Sequence, residues 1–156
     1  GGLMESISEE RVNLVNANLI AQRRGLKITE QKSTTCENYG NLITLEVATS
    51  AGATTVAGTV MRGEPHIVRI NSYWIDIVPR GGFLLLSDHR DRPGFIGEVG
   101  TMLGDADINI SSMLLGRLEP RGPALMVLEL DEPVDDRTLA QLKALPEVYT
   151  MKLVKL

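Results

Sequence analysis

The sequence predicts an α+β fold: a helix followed by an antiparallel meander, and after it a βαββαβ unit of the ferredoxin-like kind. Hydrophobic residues make up 43% and charged residues 23% of the 156 residues, which is the balance of an ordinary globular chain. The hydrophobic period changes from helical to alternating near residue 26 and, after a loop over 33–40, is alternating again to residue 78. Residues 79–82, Pro-Arg-Gly-Gly, then interrupt the pattern, so we expect one domain over 1–79 and a second over 80–156.

A helix is predicted over about residues 10–24 of the first domain. Val12, Val15 and Leu19 share one face at helical spacing, and Gly25 stands where a left-handed C-cap is expected. Behind this helix the residue pattern predicts strands over 26–32, 42–49, 53–61, 66–70 and 73–78. The turns between the last four strands are short, and short turns require antiparallel neighbours because a parallel pair needs a crossover of about a dozen residues.

The second domain also combines helical and alternating hydrophobic patterns, but in a different order. Its segments predict strands over 83–88, 108–118, 124–130 and 148–153, and helices over 95–104 and 135–145. This β-α-β-β-α-β order is that of the split-βαβ arrangement, a four-stranded antiparallel sheet with two helices on one face. In the first of these helices, Ile96, Val99 and Leu103 are predicted to face the sheet.

The predicted second sheet leaves one face and at least one edge uncovered. Several of its residues are more apolar than a wet surface requires, namely Leu84, Leu86, Ile110, Met113 and the strand 124–130. Uncovered strand edges also tend to pair with other chains. We therefore expect self-association, in the simplest case as a dimer.

Composition excludes several classes of function. Sixteen Lys and Arg against twenty Asp and Glu give a net charge of -4, whereas nucleic-acid binding needs a concentrated basic face. The longest apolar run, residues 124–128, is far too short to cross a bilayer. The single Cys36 fits a reducing compartment. We expect a cytoplasmic protein with neither a nucleic-acid nor a membrane partner.

The inventory of reactive groups is equally sparse. The two histidines, His66 and His89, are too few for an HExxH or multi-histidine metal site. Gly94, Gly97 and Gly100 lack the tight GxG turn that lets a backbone approach pyrophosphate, and no Walker A sequence occurs. We therefore expect no catalytic residue, metal or cofactor in this chain, and interpret it as a fragment of a larger protein.

One stretch has the polarity of a binding site. Residues 89–97 are predicted to run from a strand end through a polar turn into a helix N-terminus, which attracts carboxylates. Asp91 can accept hydrogen bonds from an ammonium group, and Asn109 can both donate and accept. This combination suits a free amino acid. The plainer interpretation is structural, with Asp91 as a helix cap, Pro93-Gly94 as a turn, Asn109 as a strand-entry residue and His89 as an exposed loop residue.

Residues 83–156 resemble an ACT domain. That family's D-R-P-G-x-[IV]-G-x-V turn occurs here at residues 91–99, and its I-N-I strand entry at 108–110. The resemblance implies that a small amino acid binds at the interface of two ACT domains. It also implies the contacting residues, with Asn109 reaching across from the partner chain: His89, Asp91, Arg92, Pro93, Gly94 and Asn109.

The preceding residues resemble the intervening domain of the long D-3-phosphoglycerate dehydrogenases. The similarity rests on residues 12–17, Val-Asn-Leu-Val-Asn-Ala, and on the segments 58–60, 65–68 and 73–76. Asn18 departs from the proline usual in that family. The resemblance implies a regulatory tail cut from an enzyme whose NAD-binding and substrate domains precede it. It further implies L-serine, the end product of the pathway, as the effector.

A second site and two other functions stay open at this point. Arg62, His66, Arg69 and Arg80 lie near predicted strand ends and could bind an anion, although an ordinary solvated set of cations explains them as well. The iron-sulfur L-serine dehydratases join similar domains, and Cys36 does not discriminate against them. The chain could also be a free-standing amino-acid sensor. A ferredoxin-like nucleic-acid module would require aromatic platforms that the sequence lacks.

Overall fold

A computed structural model describes residues 16–50 and 52–156. The chain divides into two compact units, with the described residues 16–36 in the first and residues from Glu37 to Leu156 in the second. Helix α1 spans Ala17–Arg23, and the part of the predicted helix before residue 16 lies outside the described residues. Gly25 has a φ of 73°, and Leu26 N–H donates to the Ala21 carbonyl at 2.9 Å, so the predicted left-handed helix end is confirmed.

The strand predicted over residues 26–32 is wrong. These residues are irregular and exposed, including the apolar Leu26 and Ile28. A strand needs a neighbour to accept its backbone hydrogen bonds, and no other part of the described chain pairs with this segment. The alternation of apolar and polar residues is therefore not sufficient to form a strand in this segment.

The second unit begins with a four-stranded antiparallel sheet, called sheet I. Its strands are β1 (Ile43–Thr49), β2 (Gly52–Met61), β3 (Glu64–Ile70) and β4 (Tyr73–Ile77). They are hydrogen-bonded in sequence order, which confirms the predicted meander. The β2–β3 turn places Arg62 and Gly63 at positive φ, as a tight hairpin with right-handed strand twist requires.

Sheet II follows, with its two helices. The elements are β5 (Phe83–Arg90), α2 (Phe95–Asp105), β6 (Ile110–Arg117), β7 (Pro123–Leu130), α3 (Asp136–Lys143) and β8 (Val148–Lys155). The strand order is β6-β7-β5-β8 and all neighbours are antiparallel, so the ferredoxin-like prediction is confirmed. Strand β6 therefore lies at one edge of the sheet.

One face of sheet II packs against both helices. Phe95, Val99 and Leu103 of α2 are buried against Leu85, Leu128 and other strand residues. The expectation that Ile96 faces the sheet is wrong: the helix begins at Phe95, so positions i, i+4 and i+8 from Phe95 point inward and Ile96 is exposed. Asp135 caps α3 by accepting a hydrogen bond from the Thr138 amide at 2.9 Å.

The other face of sheet II is covered by sheet I of the same chain. Tyr73, Ile75 and Ile77 of β4 form one hydrophobic cluster with Leu84, Leu125 and Val127. The apolar character of Leu84 and of most of β7 is thus explained within one chain and needs no second one, while Met113 on β6 stays exposed. The domain division at residues 79 and 80 stays a prediction.

No helix in the described part of the chain has the length and apolar character needed to cross a membrane.

Candidate functional site

A tight turn joins β5 to α2. Gly94 has a φ of 87° and a ψ of -20°, and Phe95 N–H donates to the Arg92 carbonyl at 3.4 Å. These values match a type II turn with Pro93 and Gly94 at its centre, where a residue with a side chain would be strained at the second position. Glu98 N–H then donates to the Gly94 carbonyl at 2.9 Å, so the helix begins immediately after the turn.

Asp91 opens this turn and is held from two sides. Its carboxylate accepts a hydrogen bond of 2.7 Å from Nη1 of Arg117, at the end of β6, and one of 3.4 Å from the backbone amide of Arg121. The hydrogen bond from Arg117 holds the pKa of Asp91 below its ordinary value. The cation that faces Asp91 in this chain is therefore the Arg117 guanidinium.

Arg92 is bound to the helix that follows it. Its guanidinium donates to both carboxylate oxygens of Glu98, at 2.9 and 2.5 Å, and lies 5.6 Å from the centre of the Phe95 ring. Glu147 approaches the same guanidinium at 3.6 Å. These contacts fix the turn relative to α2. The hydrogen bonds from Arg92 lower the pKa of Glu98.

His89 is buried, unlike the exposed loop residue of the plainer interpretation. Its ring stacks on Phe95 with 3.9 Å between ring centres and an angle of 16°. Nδ1 lies 3.2 Å from the Ser87 carbonyl oxygen, which can only accept, so the proton sits on Nδ1 and Nε2 is the acceptor. Burial lowers the pKa of the imidazole and favours this neutral form.

Asn109 lies at the opposite end of sheet II. Phe83 and Ile110 both pair with Leu130, so β5 and β6 start at one end of the sheet and finish at the other. An eight-residue strand spans roughly 26 Å, which separates Asn109 from Asp91 within one chain. The Asn109 side chain donates to Asp131 at 2.6 Å. One chain alone therefore does not assemble the predicted amino-acid site.

The predicted anion site is not a cluster of free cations. His66 Nδ1 lies 2.6 Å from an Asp76 carboxylate oxygen, and Arg80 pairs with Glu64 at 3.7 Å. Arg69 donates to the Asn71 carbonyl at 2.7 Å and lies 5.3 Å from the centre of the Trp74 ring. Arg62 belongs to the β2–β3 turn, at the opposite end of β3 from Arg69. The anion site stays a prediction.

Sequence reasoning missed the partners that orient the site. Arg117 lies 26 residues after Asp91 and meets it only because β7 brings the ends of β5 and β6 to the same end of the sheet. Glu98 could have been found, since an acidic residue in the first turn of a helix suits the dipole and lies close to the preceding turn. Phe95 could have been found from its spacing to Val99 and Leu103.

Comparison with known families and proteins gives one consistent result. Residues 1–71 match the D-3-phosphoglycerate dehydrogenase intervening domain, and residues 83–147 match the ACT domain. The D-3-phosphoglycerate dehydrogenase of Methanocaldococcus jannaschii is 36% identical over 155 residues, which cover 99% of this chain and 29% of that protein. The enzymes of Synechocystis and Bacillus subtilis are 35% and 36% identical, over 97% and 99% of this chain and 28% and 30% of their own lengths.

The chain thus spans less than a third of the length of these curated relatives. Its two matched segments follow each other in the order intervening domain and ACT domain, with residues 72–82 between them. Residues 1–71 of this chain thus carry the features of the D-3-phosphoglycerate dehydrogenase intervening-domain model, and residues 83–147 carry those of the ACT-domain model.

Proposed function

We propose that this chain is the C-terminal regulatory region of a D-3-phosphoglycerate dehydrogenase, and that its ACT domain binds L-serine between two subunits as a feedback effector. The observation that carries the proposal is the charged site at one end of sheet II, where Asp91 and Arg117 meet beside the edge strand β6. The printed names of the relatives support the dehydrogenase over the serine dehydratase alternative.

NAD belongs to the catalytic domains that would precede this chain. The sequence has no GxGxxG turn to hold a pyrophosphate, so we assign no step of the NAD chemistry to these residues. What the described residues can do is bind a small zwitterion and transmit its presence through self-association. The site would act on catalysis only through the orientation of the subunits.

Twofold symmetry would complete the site. If β6 pairs antiparallel with β6 of a second copy, the start of one strand lies beside the end of the other. Asn109 of the partner subunit would then lie near Arg117 and Asp91, whereas within one chain they are a strand length apart. Met113 and Leu115, which are 47% and 40% exposed on β6, would be covered by the same pairing.

The ligand contacts follow from charge. Asp91 would accept hydrogen bonds from the ammonium group, and Asn109 of the partner subunit would offer a donor and an acceptor. The positive end of the α2 dipole lies at the Pro93-Gly94 turn and favours a carboxylate. A ligand shared by two subunits biases their orientation only if it binds the possible orientations unequally.

Calorimetric titration of the chain with L-serine tests the proposal. We expect Asp91→Ala and Asn109→Ala each to weaken binding at least about 10-fold with unchanged circular dichroism, because each removes one charged or polar ligand contact. Glu46→Ala, on the exposed strand β1, is the matched control and should bind as the parent chain does. Unchanged affinity in both site variants would contradict the assignment.

Two further measurements separate the effector from the assembly. Equal affinities for glycine, valine and serine would remove serine specificity from the proposal while leaving amino-acid binding. Light scattering on Met113→Lys should show a smaller assembly than the parent chain, because a charge on the paired edge is disfavoured. A parent chain that is monomeric with and without L-serine would contradict the shared site.

A further inference from the structure

We infer that Arg117 is the residue that binds the effector's carboxylate, and that its ion pair with Asp91 is exchanged for two ligand contacts when an amino acid binds. The inference rests on the proposed function, since it concerns the same site. In it, the ligand ammonium takes the place of the Arg117 guanidinium on Asp91, and the ligand carboxylate takes the place of Asp91 on Arg117. One ion pair within the chain becomes two ion pairs to the ligand, with charge balance preserved.

The geometry of the pair suits such an exchange. Nη1 of Arg117 lies 2.7 Å from Oδ2 of Asp91, and the two side chains are 52% and 20% exposed. That hydrogen bond uses one of the five N–H donors of a guanidinium. The Arg117 side of this pair is exposed to water, which competes for the guanidinium and reduces what the pair contributes to stability. A small zwitterion can therefore separate the pair without disrupting the fold.

The neighbouring arginines are bound in a different way. Arg92 is 22% exposed and holds both oxygens of Glu98 with its Nη1 and Nη2 atoms, while its Nε atom is buried without a hydrogen-bond partner, so the two groups that could grip a ligand carboxylate are already bound to a carboxylate of its own chain. Arg90 donates to the Arg121 carbonyl at 3.2 Å and approaches Glu147. Arg117 instead pairs with the very carboxylate that the proposed function assigns to the ligand ammonium.

Arg117 also lies at the edge of sheet II where a second copy would pair. It is the last residue of the edge strand β6, on the same side of the strand as Met113 and Leu115. Antiparallel pairing of two β6 strands would cover these apolar neighbours and bring Asn109 of the partner subunit to the same end. Removal of water from around a charged pair strengthens its interactions, so the assembled site favours a ligand that satisfies both charges.

The recognition chemistry that follows is specific. A guanidinium binds a carboxylate through two parallel hydrogen bonds, which an ammonium group of lysine cannot reproduce. Arg117 and Asp91 together would require both the carboxylate and the ammonium of the ligand. An analogue without the carboxylate, such as L-serinamide, keeps the contact to Asp91 and loses the contact to Arg117.

Titrations followed by NMR, which measure affinities into the millimolar range, test this on the whole chain with L-serine and L-serinamide. We expect Arg117→Gln to weaken L-serine binding at least about 10-fold and to change L-serinamide binding less than about 3-fold, since the amide has no carboxylate to lose. Arg121→Gln is the charge-matched control, because Arg121 meets Asp91 and Arg90 through its backbone. It should leave both affinities within about 3-fold.

Each other outcome overturns the inference in a distinguishable way. Equal losses for both ligands in Arg117→Gln would mean that Arg117 merely positions Asp91. Unchanged L-serine affinity in Arg117→Gln, with binding intact in the parent chain, would remove Arg117 from the site and leave the proposed function standing. A parent chain that binds no amino acid would overturn the proposed function and this inference together.

Discussion

Sheet I and sheet II each contain four antiparallel strands, but they differ in what covers them. Every residue of β1 is exposed, including Ile43, Leu45 and Val47, whereas Ala124 to Leu128 of β7 are all buried. Strand β7 lies between a helical layer and β4, while β1 is an edge strand of sheet I. Apolar alternation therefore predicts a strand in both places, and the neighbouring layer decides whether its apolar side is buried.

The same difference indicates where a binding site can be held rigidly. The turn that contains Asp91 and Gly94 is placed between a central strand and a helix that packs on it. His89, stacked on Phe95, fills the space behind this turn. The cation candidates of sheet I, in contrast, lie on exposed turns and on a sheet with less cover. Because the turn with Asp91 and Gly94 lies on a packed scaffold, it is better suited to hold a ligand than the cation candidates of sheet I are.

The core of sheet II contains the side chain whose truncation should cost the most stability. Leu85 of β5 is fully buried between the sheet and both helices, so Leu85→Ala should lower the free energy of unfolding by about 2–5 kcal/mol through lost burial and a residual cavity. Urea denaturation at equilibrium measures the loss.

Leu45→Ala is the matched control in sheet I. The side chain of Leu45 is 55% exposed, so its truncation should change the free energy of unfolding by less than about 0.5 kcal/mol. If Leu45→Ala and Leu85→Ala lost the same stability, Leu45 would have to be buried by other residues, which its exposure on β1 contradicts.

Two glycines, one in each sheet, differ in how closely other atoms approach them. A Cβ atom added at Gly58 of β2, beside a bulge, would lie 3.0 Å from the His66 carbonyl oxygen, so Gly58→Ala should destabilise by about 1–3 kcal/mol. At Gly116 of β6 the nearest atom is the Tyr73 Cβ at 3.4 Å, an ordinary contact. Thermal unfolding of both variants measures the difference.

Gly116→Ala should be neutral or stabilising by up to about 1 kcal/mol, because alanine restricts the unfolded chain more than glycine does. The two substitutions thus separate a close backbone approach within sheet I from a close packing contact between sheets I and II. Equal destabilisation by both would mean that β4 and β6 lie closer together than the structure shows.

The sequence was sufficient for the strands and for their antiparallel order, because short turns and alternating residues are local features. It failed at residues 26–32, where a strand needs a partner that local pattern cannot supply. It also failed for Ile96, because Val99 and Leu103 share one helix face with Phe95 and a neighbouring one with Ile96, and the spacing of the apolar residues alone does not decide between the two faces. The sequence could not predict that Asp91 pairs with Arg117. Strand β7 lies between β5 and β6 and separates them by about 10 Å, so only a long side chain crosses that gap.

The buried ring behind the site should make the stability of the fold depend on pH. Burial lowers the pKa of His89, so the unfolded chain takes up a proton near pH 6.5 that the folded chain still excludes. The neutral ring's contribution is fully present above pH 6.5 and is lost as the pH falls through the lower pKa of the folded state. The free energy of unfolding should decline between pH 7 and 5.5 by at most about 1.4 kcal/mol per pH unit from this group. His89→Gln, with His66 retained, should flatten that slope in urea titrations. An equal slope in both proteins would mean that the ring is protonated within the folded chain and that the site carries an extra positive charge beside Asp91.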